Sequence, residues 1–134
     1  MTAFPLRIVT PDGLEYEGQA EELIVRTTSG DIGILAGHVN CVAPLGMGKA
    51  TVVIDGKRRY AACIGGMLSV MNGAVTLVPT TFEWADKIDA DRADRSYQRA
   101  QEMLNRKDSS ETDIKLAQAR LRRALVRKSV AGNQ

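Results

Sequence analysis

The sequence predicts an α+β protein in which an antiparallel β-sandwich or barrel comes first and an antiparallel two-helix hairpin comes last. Between residues 4 and 80, short β-rich runs alternate with turn sequences that contain glycine. After Trp84 the apolar period changes from two residues to about 3.6, the period of an α-helix, and glycine is absent until Gly132. We therefore expect a β-domain over residues 1–85 and a helical domain over residues 86–134.

The first strands are predicted around a tight turn. Leu6 and Ile8 occupy alternate positions, as in a strand with one buried face. The sequence Thr-Pro-Asp-Gly at residues 10–13 then favours a turn, because proline fixes φ and glycine accepts a positive φ. Residues 20–27 contain a β-branched run and predict a more fully buried strand.

Two β-hairpins are predicted from their turn dipeptides. Asp55-Gly56 and Asn72-Gly73 each separate two β-rich runs. Both dipeptides favour the type I′ turn, whose twist matches that of antiparallel strands. The strands on either side of each dipeptide are therefore expected to pair with each other.

The helical half carries its own start signals. Asp89 is placed to cap the first helix, and Ser110 with Asp113 three residues later resembles a capping box that begins the second. Residues 107–110 supply the break between the helices. A connection this short makes the helices antiparallel neighbours.

The inward positions of the two helices are poor in bulky side chains. They are Ala93, Tyr97, Ala100 and Leu104 on the first helix, and Ile114, Ala117, Leu121, Ala124 and Lys128, with Leu125 beside them, on the second. Each buried methyl group stabilises by only about 1 kcal/mol, so alanine-rich helices hold each other weakly. We therefore expect the hairpin to open or detach and to exchange its own contacts for a partner's surface.

Charge is distributed unevenly along the chain. Residues 1–85 contain 6 Lys and Arg against 8 Asp and Glu, whereas the remaining residues contain 12 against 8. The basic character therefore belongs to the helices. The apolar runs are far shorter than the roughly 20 residues that a membrane span needs, and no secretory leader is recognised, so we expect a cytoplasmic protein that does not enter a bilayer.

The residues that a catalytic or metal site needs are missing from the pattern. Ser29 and Ser69 lack a Gly-x-Ser-x-Gly elbow, the chain has a single histidine, and its two cysteines are 22 residues apart without a Cys-x-x-Cys motif. The basic run at residues 57–59 has few aromatic neighbours and is explained as well by a guarded strand edge as by nucleic-acid contact. We expect no catalytic residues, no metal and no nucleic-acid partner, and two buried thiols.

Two motifs carry a resemblance to a known family. Residues 30–38 read Gly-Asp-Ile-Gly-Ile-Leu-Ala-Gly-His, which is similar to the pattern G-[DE]-x-G-I-L-P-G-H with Ala36 in place of proline. Residues 65–70 are similar to G-G-F-x-x-V with Met67 in place of phenylalanine. Together with the order of β-domain and helices, they make the chain resemble the ε subunit of bacterial F-type ATP synthases over nearly its whole length.

The resemblance implies a non-catalytic rotor subunit of the central stalk. The β-domain would bind the γ subunit and the c-ring and couple proton or sodium flow to ATP synthesis. Asp31 would lie at the ring-facing end, although an aspartate that forms the turn explains it equally well, and His38 would lie near γ. The hairpin would alternate between a folded form and an extended form that hinders ATP hydrolysis. The implied location is peripheral, on the cytoplasmic face of the bacterial membrane.

The resemblance also implies ATP as a regulatory ligand, with no cofactor required. Residues 88–93 match the motif I-D-x-x-R-A that some bacterial members use to bind ATP. The residues implied are Glu83, Asp89, Arg92, Arg99, Arg123 and Arg127. Arginines suit phosphates and a carboxylate suits an adenine or ribose donor, but a helix cap and exposed helix residues explain the same positions.

The second predicted helix carries a basic face. It consists of Arg120, Arg122, Arg123, Arg127 and Lys128. In the extended state these side chains would meet acidic surfaces of the catalytic α/β head in a salt-sensitive way, whereas a solvated helix face is the simpler explanation. The alternative function is a free-standing ATP-sensing module without a γ partner; a small enzyme is disfavoured because no nucleophile and base can be paired.

Overall fold

The computed structural model describes residues 2–132 of the chain. This part forms eight strands, followed by one short 3-10 helix and two α-helices. The strands are β1 (Phe4–Thr10), β2 (Gly13–Ala20), β3 (Glu22–Thr27), β4 (Gly30–Ile34), β5 (Cys41–Pro44), β6 (Met47–Ile54), β7 (Lys57–Met71) and β8 (Ala74–Trp84). The 3-10 helix is Ala85–Lys87, and the α-helices are α1 (Ala90–Leu104) and α2 (Glu111–Ala131).

The strands form a β-sandwich, as the sequence predicts. Their order is β2-β1-β8-β7-β6-β3-β4, and β5 pairs with the second half of β7. One pair departs from the expected antiparallel arrangement: β1 runs parallel to β8, with Leu6 opposite Val75 and Ile8 opposite Leu77. These two strands lie far apart in the sequence, so no hairpin turn forces them to be antiparallel.

Both predicted hairpin turns are confirmed. Asp55 and Gly56 have φ values of 52° and 76°, and Asn72 and Gly73 have 51° and 83°. Positive φ at both central residues is the type I′ requirement. The turns join β6 to β7 and β7 to β8, which are paired along their lengths.

Strand β7 takes part in both layers of the sandwich because it bends at Gly65 and Gly66: its first half pairs with β6 and its second half with β5. Their φ values are 67° and 98°, and a Cβ on Gly66 would lie only 2.0 Å from the carbonyl oxygen of Val78. The alternation of side chains shifts by one residue there. Cys63 faces the core before the bend and Leu68 faces it after the bend.

The core lies between the layers and is built from large side chains. Those with at most 1% exposure are Leu6, Ile8, Leu23, Val25, Ile34, Val52, Leu68, Val70 and Leu77. Each fully buried side chain of this kind stabilises by about 1.5–3 kcal/mol. Phe82 and Trp84 close one end in an edge-to-face arrangement with ring centres 4.9 Å apart.

The helix starts are also confirmed. The Asp89 carboxylate accepts a hydrogen bond from the backbone N–H of Arg92 at 3.0 Å, and the Ser110 hydroxyl accepts one from that of Asp113 at 3.1 Å. These are the two predicted N-caps.

The contact between α1 and α2 is narrower than predicted. Its buried residues are Ala93, Ala100, Ala117 and Ala124. Ile114 and Leu125, predicted on the inward stripe and beside it, are 37% and 52% exposed. Leu125 directly follows Ala124, so its side chain points about 100° around the helix from the helix contact. Ile114 lies in the first turn of α2, at the end of the helix contact.

The hairpin attaches to the β-domain mainly through the last turns of α2, which contact β6, β7 and the 3-10 helix. The apolar part of this attachment, the docking cluster, consists of Ala62, Ala85, Ile88 and Val130 with Tyr60, Val126 and Ala131 packed against them. None of the helices within residues 2–132 combines the length and the hydropathy of a transmembrane helix.

Candidate functional site

Two adjoining cavities lie along the hairpin. The first, the carboxylate cavity, has a volume of about 300 Å³ and is lined by Glu83, Lys87, Ile88, Asp89, Arg92, Ala93, Ser96 and Arg127. The second, the arginine groove, has a volume of about 470 Å³ and is lined by Ser96, Arg99, Ala100, Glu102, Met103, Arg106, Arg120, Arg123 and Arg127. They share Ser96 and Arg127, so one elongated ligand could occupy both.

All six residues that the resemblance implies for ATP line these two cavities. Glu83, Asp89 and Arg92 line the carboxylate cavity, and Arg99 and Arg123 line the arginine groove. Arg127 lines both. Strand β8, helix α1 with its N-cap residue Asp89, and helix α2 bring these side chains together. Nucleotide binding at this place stays a prediction.

An ion pair joins the β-domain to the hairpin inside the carboxylate cavity. Glu83 is the second-last residue of β8 and lies opposite Ala62 of the docking cluster. Its Oε1 accepts a hydrogen bond from Nε of Arg127 on α2 at 2.6 Å. The two side chains are 34% and 30% exposed, so water screens the pair in part and its contribution is on the order of 1 kcal/mol. A phosphate entering the cavity would compete with Glu83 for Arg127.

The arginine groove carries strong positive charge. Five guanidinium groups line it with a single carboxylate, that of Glu102. Among residues 2–132, no carboxylate forms an ion pair with Arg99, Arg106, Arg120 or Arg123. Such a concave cluster of one sign concentrates the field and attracts anions.

Sequence reasoning missed part of this groove. Arg106 is absent from the predicted set, and Arg120 is predicted only for a partner contact. A signal was present: Arg120, Arg123 and Arg127 are three and four residues apart, a spacing that places them on one face of a helix.

The five residues of the predicted basic face do not share one environment. Arg120, Arg123 and Arg127 line the groove, whereas Arg122 is exposed and lines neither cavity. Lys128 instead binds α1: its Nζ lies 2.9 Å from Oδ1 of Asp94 and 4.3 Å from the ring centre of Tyr97.

The contact with Lys128 changes the titration of its partner. The hydrogen bond from Lys128, and then its positive charge, lower the pKa of Asp94 below the ordinary value for an aspartate. The ionised form of Asp94 is therefore favoured while the helices are together.

Asp31 lies in a strand and not in the turn between β3 and β4. It belongs to β4, and its Oδ1 accepts a hydrogen bond from Nε of Arg26 at 2.7 Å across the β3–β4 pair. The turn before it is held instead by Thr27, whose hydroxyl donates to the Gly30 carbonyl at 2.7 Å. The turn-forming explanation for Asp31 is therefore wrong.

His38 is half-buried in the loop between β4 and β5. Its Nδ1 lies 2.8 Å from the carbonyl oxygen of Val39. A carbonyl oxygen only accepts, so Nδ1 is the donor in this contact. Asn40 ties the same loop to the β7–β8 turn by accepting from the backbone N–H of Asn72 at 2.8 Å.

A second feature that sequence reasoning missed is an exposed apolar sheet face. It consists of Val42, Met67, Met71 and Val78, which are 61%, 42%, 51% and 46% exposed. Met67 lies opposite Val78 on one side and Pro44 on the other, so the side chains are neighbours on adjoining strands. Contiguous apolar surface of this kind marks an interaction site more often than single exposed residues do.

The two thiols differ. Burial raises the pKa of Cys63 to about 12, so this thiol stays protonated. Cys41 is only half-buried, which corrects the expectation of two buried thiols, and neither forms a disulfide. In the part of the chain that the structure describes, no group of three or more His, Cys, Asp or Glu side chains could hold a metal ion.

Comparison with protein families matches the chain in two consecutive parts. Residues 3–85 match the β-sandwich domain of the ATP synthase delta/epsilon chain, and residues 86–132 match its long α-helix domain. Bacterial proteins named ATP synthase epsilon chain are similar over the whole length. That of Bacillus velezensis is 43% identical and covers 99% of this chain and 100% of its own, and that of Ruminococcus albus is 41% identical and covers 100% of both.

Solved structures share the fold at low sequence identity. A chain in the mitochondrial ATP synthase of Euglena gracilis, from a structure of OSCP, F1 and c-ring, has a TM-score of 0.84 at 20% identity and covers 100% of this chain and 83% of its own. A chain in the central stalk and c-ring structure from Tetrahymena thermophila has a TM-score of 0.66 at 11% identity, with 95% of each chain covered.

Proposed function

This chain belongs to the ATP synthase delta/epsilon chain family, and we propose that it is a non-catalytic rotor subunit in the central stalk of a bacterial F-type ATP synthase. Its β-domain binds the γ subunit and the c-ring and couples proton or sodium flow to ATP synthesis. Its hairpin inhibits ATP hydrolysis when it extends into the catalytic α/β head. The complex holds it peripherally at the cytoplasmic face of the membrane, outside the bilayer.

The observation that carries the proposal is the limited attachment of the hairpin. Of the seven residues in the docking cluster, three are alanines, Ala62, Ala85 and Ala131. Within residues 2–132, one ion pair, Glu83 with Arg127, accompanies them. Small side chains bury little apolar area, so this attachment stabilises the docked form by much less than the core stabilises the β-domain. A hairpin held in this way can leave the sandwich without unfolding it.

The apolar sheet face supports a permanent partner for the β-domain. Val42, Met67, Met71 and Val78 would be covered by the γ subunit, which would remove their exposed area from water. The loop that contains His38 is tied to the adjoining β7–β8 turn through Asn40, so a contact between His38 and γ is compatible with the same surface. Asp31, exposed on β4, is assigned to the ring-facing contact.

The two cavities support ATP as the ligand of the docked form. A nucleoside in the carboxylate cavity would offer its amino or hydroxyl groups to Glu83 or Asp89, and the triphosphate would bind Arg92, Arg99, Arg123 and Arg127. The cavities are formed by β8, α1 and α2 together, so a ligand that fills them favours the docked hairpin over the extended one. Extension would release the basic side chains, including Arg120, Arg122 and Lys128, for acidic surfaces of the head.

ATP hydrolysis by the cognate catalytic head tests the proposal. The head, containing γ but lacking this chain, is titrated with the full chain and with a chain that ends at Ala85. We expect saturable inhibition by the full chain only, and co-purification of both with γ, which also verifies that the shorter chain is folded. Absence of both inhibition and co-purification would refute the rotor assignment.

The second candidate function is the free-standing ATP-sensing module. The observation that favours it is that all six residues implied for ATP line the two adjoining cavities. It predicts ATP binding by an isolated monomer that does not co-purify with γ. Co-purification with γ therefore separates the two functions.

A further inference from the structure

The distal part of the arginine groove has no role in the proposed ATP contacts. Arg106 follows the end of α1, and Arg120 lies one turn before Arg123 on α2. Arg120 is seven residues from Arg127, the residue shared with the carboxylate cavity, which corresponds to about 10 Å along the helix. Both distal guanidinium groups are therefore remote from the carboxylates Glu83 and Asp89.

The charges of the groove are arranged along a line. Arg120, Arg123 and Arg127 follow one face of α2, and Arg99 and Arg106, seven residues apart, line the groove from the side of α1. A compact anion would meet only part of this row. An extended anion with a charge at each repeat would meet all of it, and guanidinium groups bind phosphate oxygens through paired hydrogen bonds.

The positive charge is not compensated from within the chain. Among residues 2–132, Arg99, Arg106, Arg120 and Arg123 form no ion pair, and Glu102 is the one carboxylate of the lining. Like charges brought together repel each other, which opposes closure of the hairpin until a counter-charge binds. The groove therefore gains more from a polyanion than an ordinary exposed helix surface would.

We propose that the arginine groove binds linear polyphosphate chains of three or more phosphates, with Arg106 and Arg120 holding the end furthest from the carboxylate cavity. The chain can be inorganic or the tail of a nucleotide. The nucleotide form rests on the ATP site proposed above, whereas the inorganic form requires only the groove. No bond is made or broken in this binding.

Calorimetry with the full chain at constant ionic strength tests the inference. The probes are phosphate, pyrophosphate and tripolyphosphate, and we expect affinity to rise with chain length. The variant Arg106→Gln with Arg120→Gln should weaken tripolyphosphate binding by about tenfold or more, because it removes two charge-assisted contacts. Phosphate binding as tightly as tripolyphosphate would overturn the inference.

A matched control separates the groove from general charge effects. Arg95→Gln with Lys115→Gln removes the same charge, one residue on each helix. Neither residue lines the arginine groove or the carboxylate cavity, and neither forms an ion pair within the described part. This control should bind tripolyphosphate about as tightly as the unaltered chain. Equal weakening in the two double variants would overturn the inference.

A substitution with the opposite effect provides a second check. Glu102→Gln removes the one carboxylate of the groove and should tighten tripolyphosphate binding by about twofold, since an exposed charge contributes modestly. Unchanged or weaker binding would contradict the inference. Because the double variant and this one move affinity in opposite directions, a general loss of folding cannot produce both results.

Adenosine and ATP distinguish the two sources of the chain. If the proposed nucleotide site is present, ATP binds. The Arg106→Gln, Arg120→Gln variant weakens ATP binding if the nucleotide tail reaches the distal arginines, and it weakens only tripolyphosphate binding if the chain is inorganic. Tripolyphosphate binding without ATP binding supports the inorganic form and refutes the ATP site. ATP binding that is indifferent to the distal arginines, together with no tripolyphosphate binding, refutes the inference and leaves the ATP site standing. Adenosine should not compete with tripolyphosphate. Co-purification with γ tests the rotor assignment independently of all these results.

Discussion

The β-domain and the hairpin are stabilised by different kinds of contact. The sandwich buries large side chains such as Leu68 and Leu77 completely, whereas the helices meet through alanines such as Ala117 and Ala124. Burial stabilises in proportion to the apolar area removed from water, so packing stabilises the β-domain far more than it stabilises the hairpin. One short chain therefore combines a unit with a large apolar core and a helical unit attached through a much smaller cluster.

The largest effect is expected in the β-core. Leu68→Ala removes a side chain with no exposure from the second half of β7 and should lower the free energy of unfolding by about 2–5 kcal/mol. Denaturant unfolding followed by the fluorescence of Trp84, the single tryptophan, measures it. Met67→Ala, at the neighbouring exposed position, should change stability by less than about 1 kcal/mol. Similar losses in both variants would contradict the assignment of the core.

A smaller effect is expected where the helices meet. Ala117→Leu adds bulk to a fully buried position and should destabilise closure of the hairpin by about 1–3 kcal/mol. Limited proteolysis within residues 86–132 should become faster, while the unfolding midpoint reported by Trp84 stays unchanged. Ala119→Leu is the control, since that position is only half-buried. A lowered Trp84 midpoint would show that the two units are not independent.

The ion pair between the units should have a weaker effect. Arg127→Gln removes the contact with Glu83 and should destabilise docking by less than about 1 kcal/mol, because both side chains are about one third exposed. The loss, measured as increased cleavage of the hairpin, should shrink at high salt. Arg122→Gln removes the same charge without an ion pair and should leave cleavage unchanged. Equal cleavage in both variants would show that the ion pair between Glu83 and Arg127 does not help to hold the hairpin on the β-domain.

The smallest effect is expected from pH. The pKa of Asp94 is lowered by Lys128 from an ordinary value of 3.8, so its contribution to hairpin closure is complete above that value and is lost as the pH falls through the lowered value. Asp94→Asn should remove this acid-dependent component of hairpin cleavage or helicity. Asp91→Asn, at an exposed position without an ion pair in the described part, should preserve it.

Local signals in the sequence predicted much of the fold. Asp55-Gly56 and Asn72-Gly73 determine their turns through φ values that few other dipeptides accept, and Asp89 and Ser110 cap helices through hydrogen bonds to residues three positions later. Each of these effects acts within a few residues of the chain. The parallel pairing of β1 with β8 depends on residues about 70 positions apart and has no such signal.

The candidate site was predictable only in part. The motif at residues 88–93 indicated the carboxylate cavity, and the resemblance supplied Arg99 and Arg123. The resemblance did not supply Arg106, because the position of Arg106 in the groove depends on how closely the two alanine-lined helices approach each other. Nor did it supply the pair of Glu83 with Arg127, since those residues are 44 positions apart.

The β-to-helix order, the hairpin turns, the helix caps and the excess of basic residues on the helices follow from local chemistry or composition. The bend that lets β7 join both layers, the exposed apolar sheet face and the two adjoining cavities arise only when the elements pack together. The physical reason is that a side chain's exposure and charge environment depend on residues distant in the chain, and only the packed structure brings those residues within contact distance.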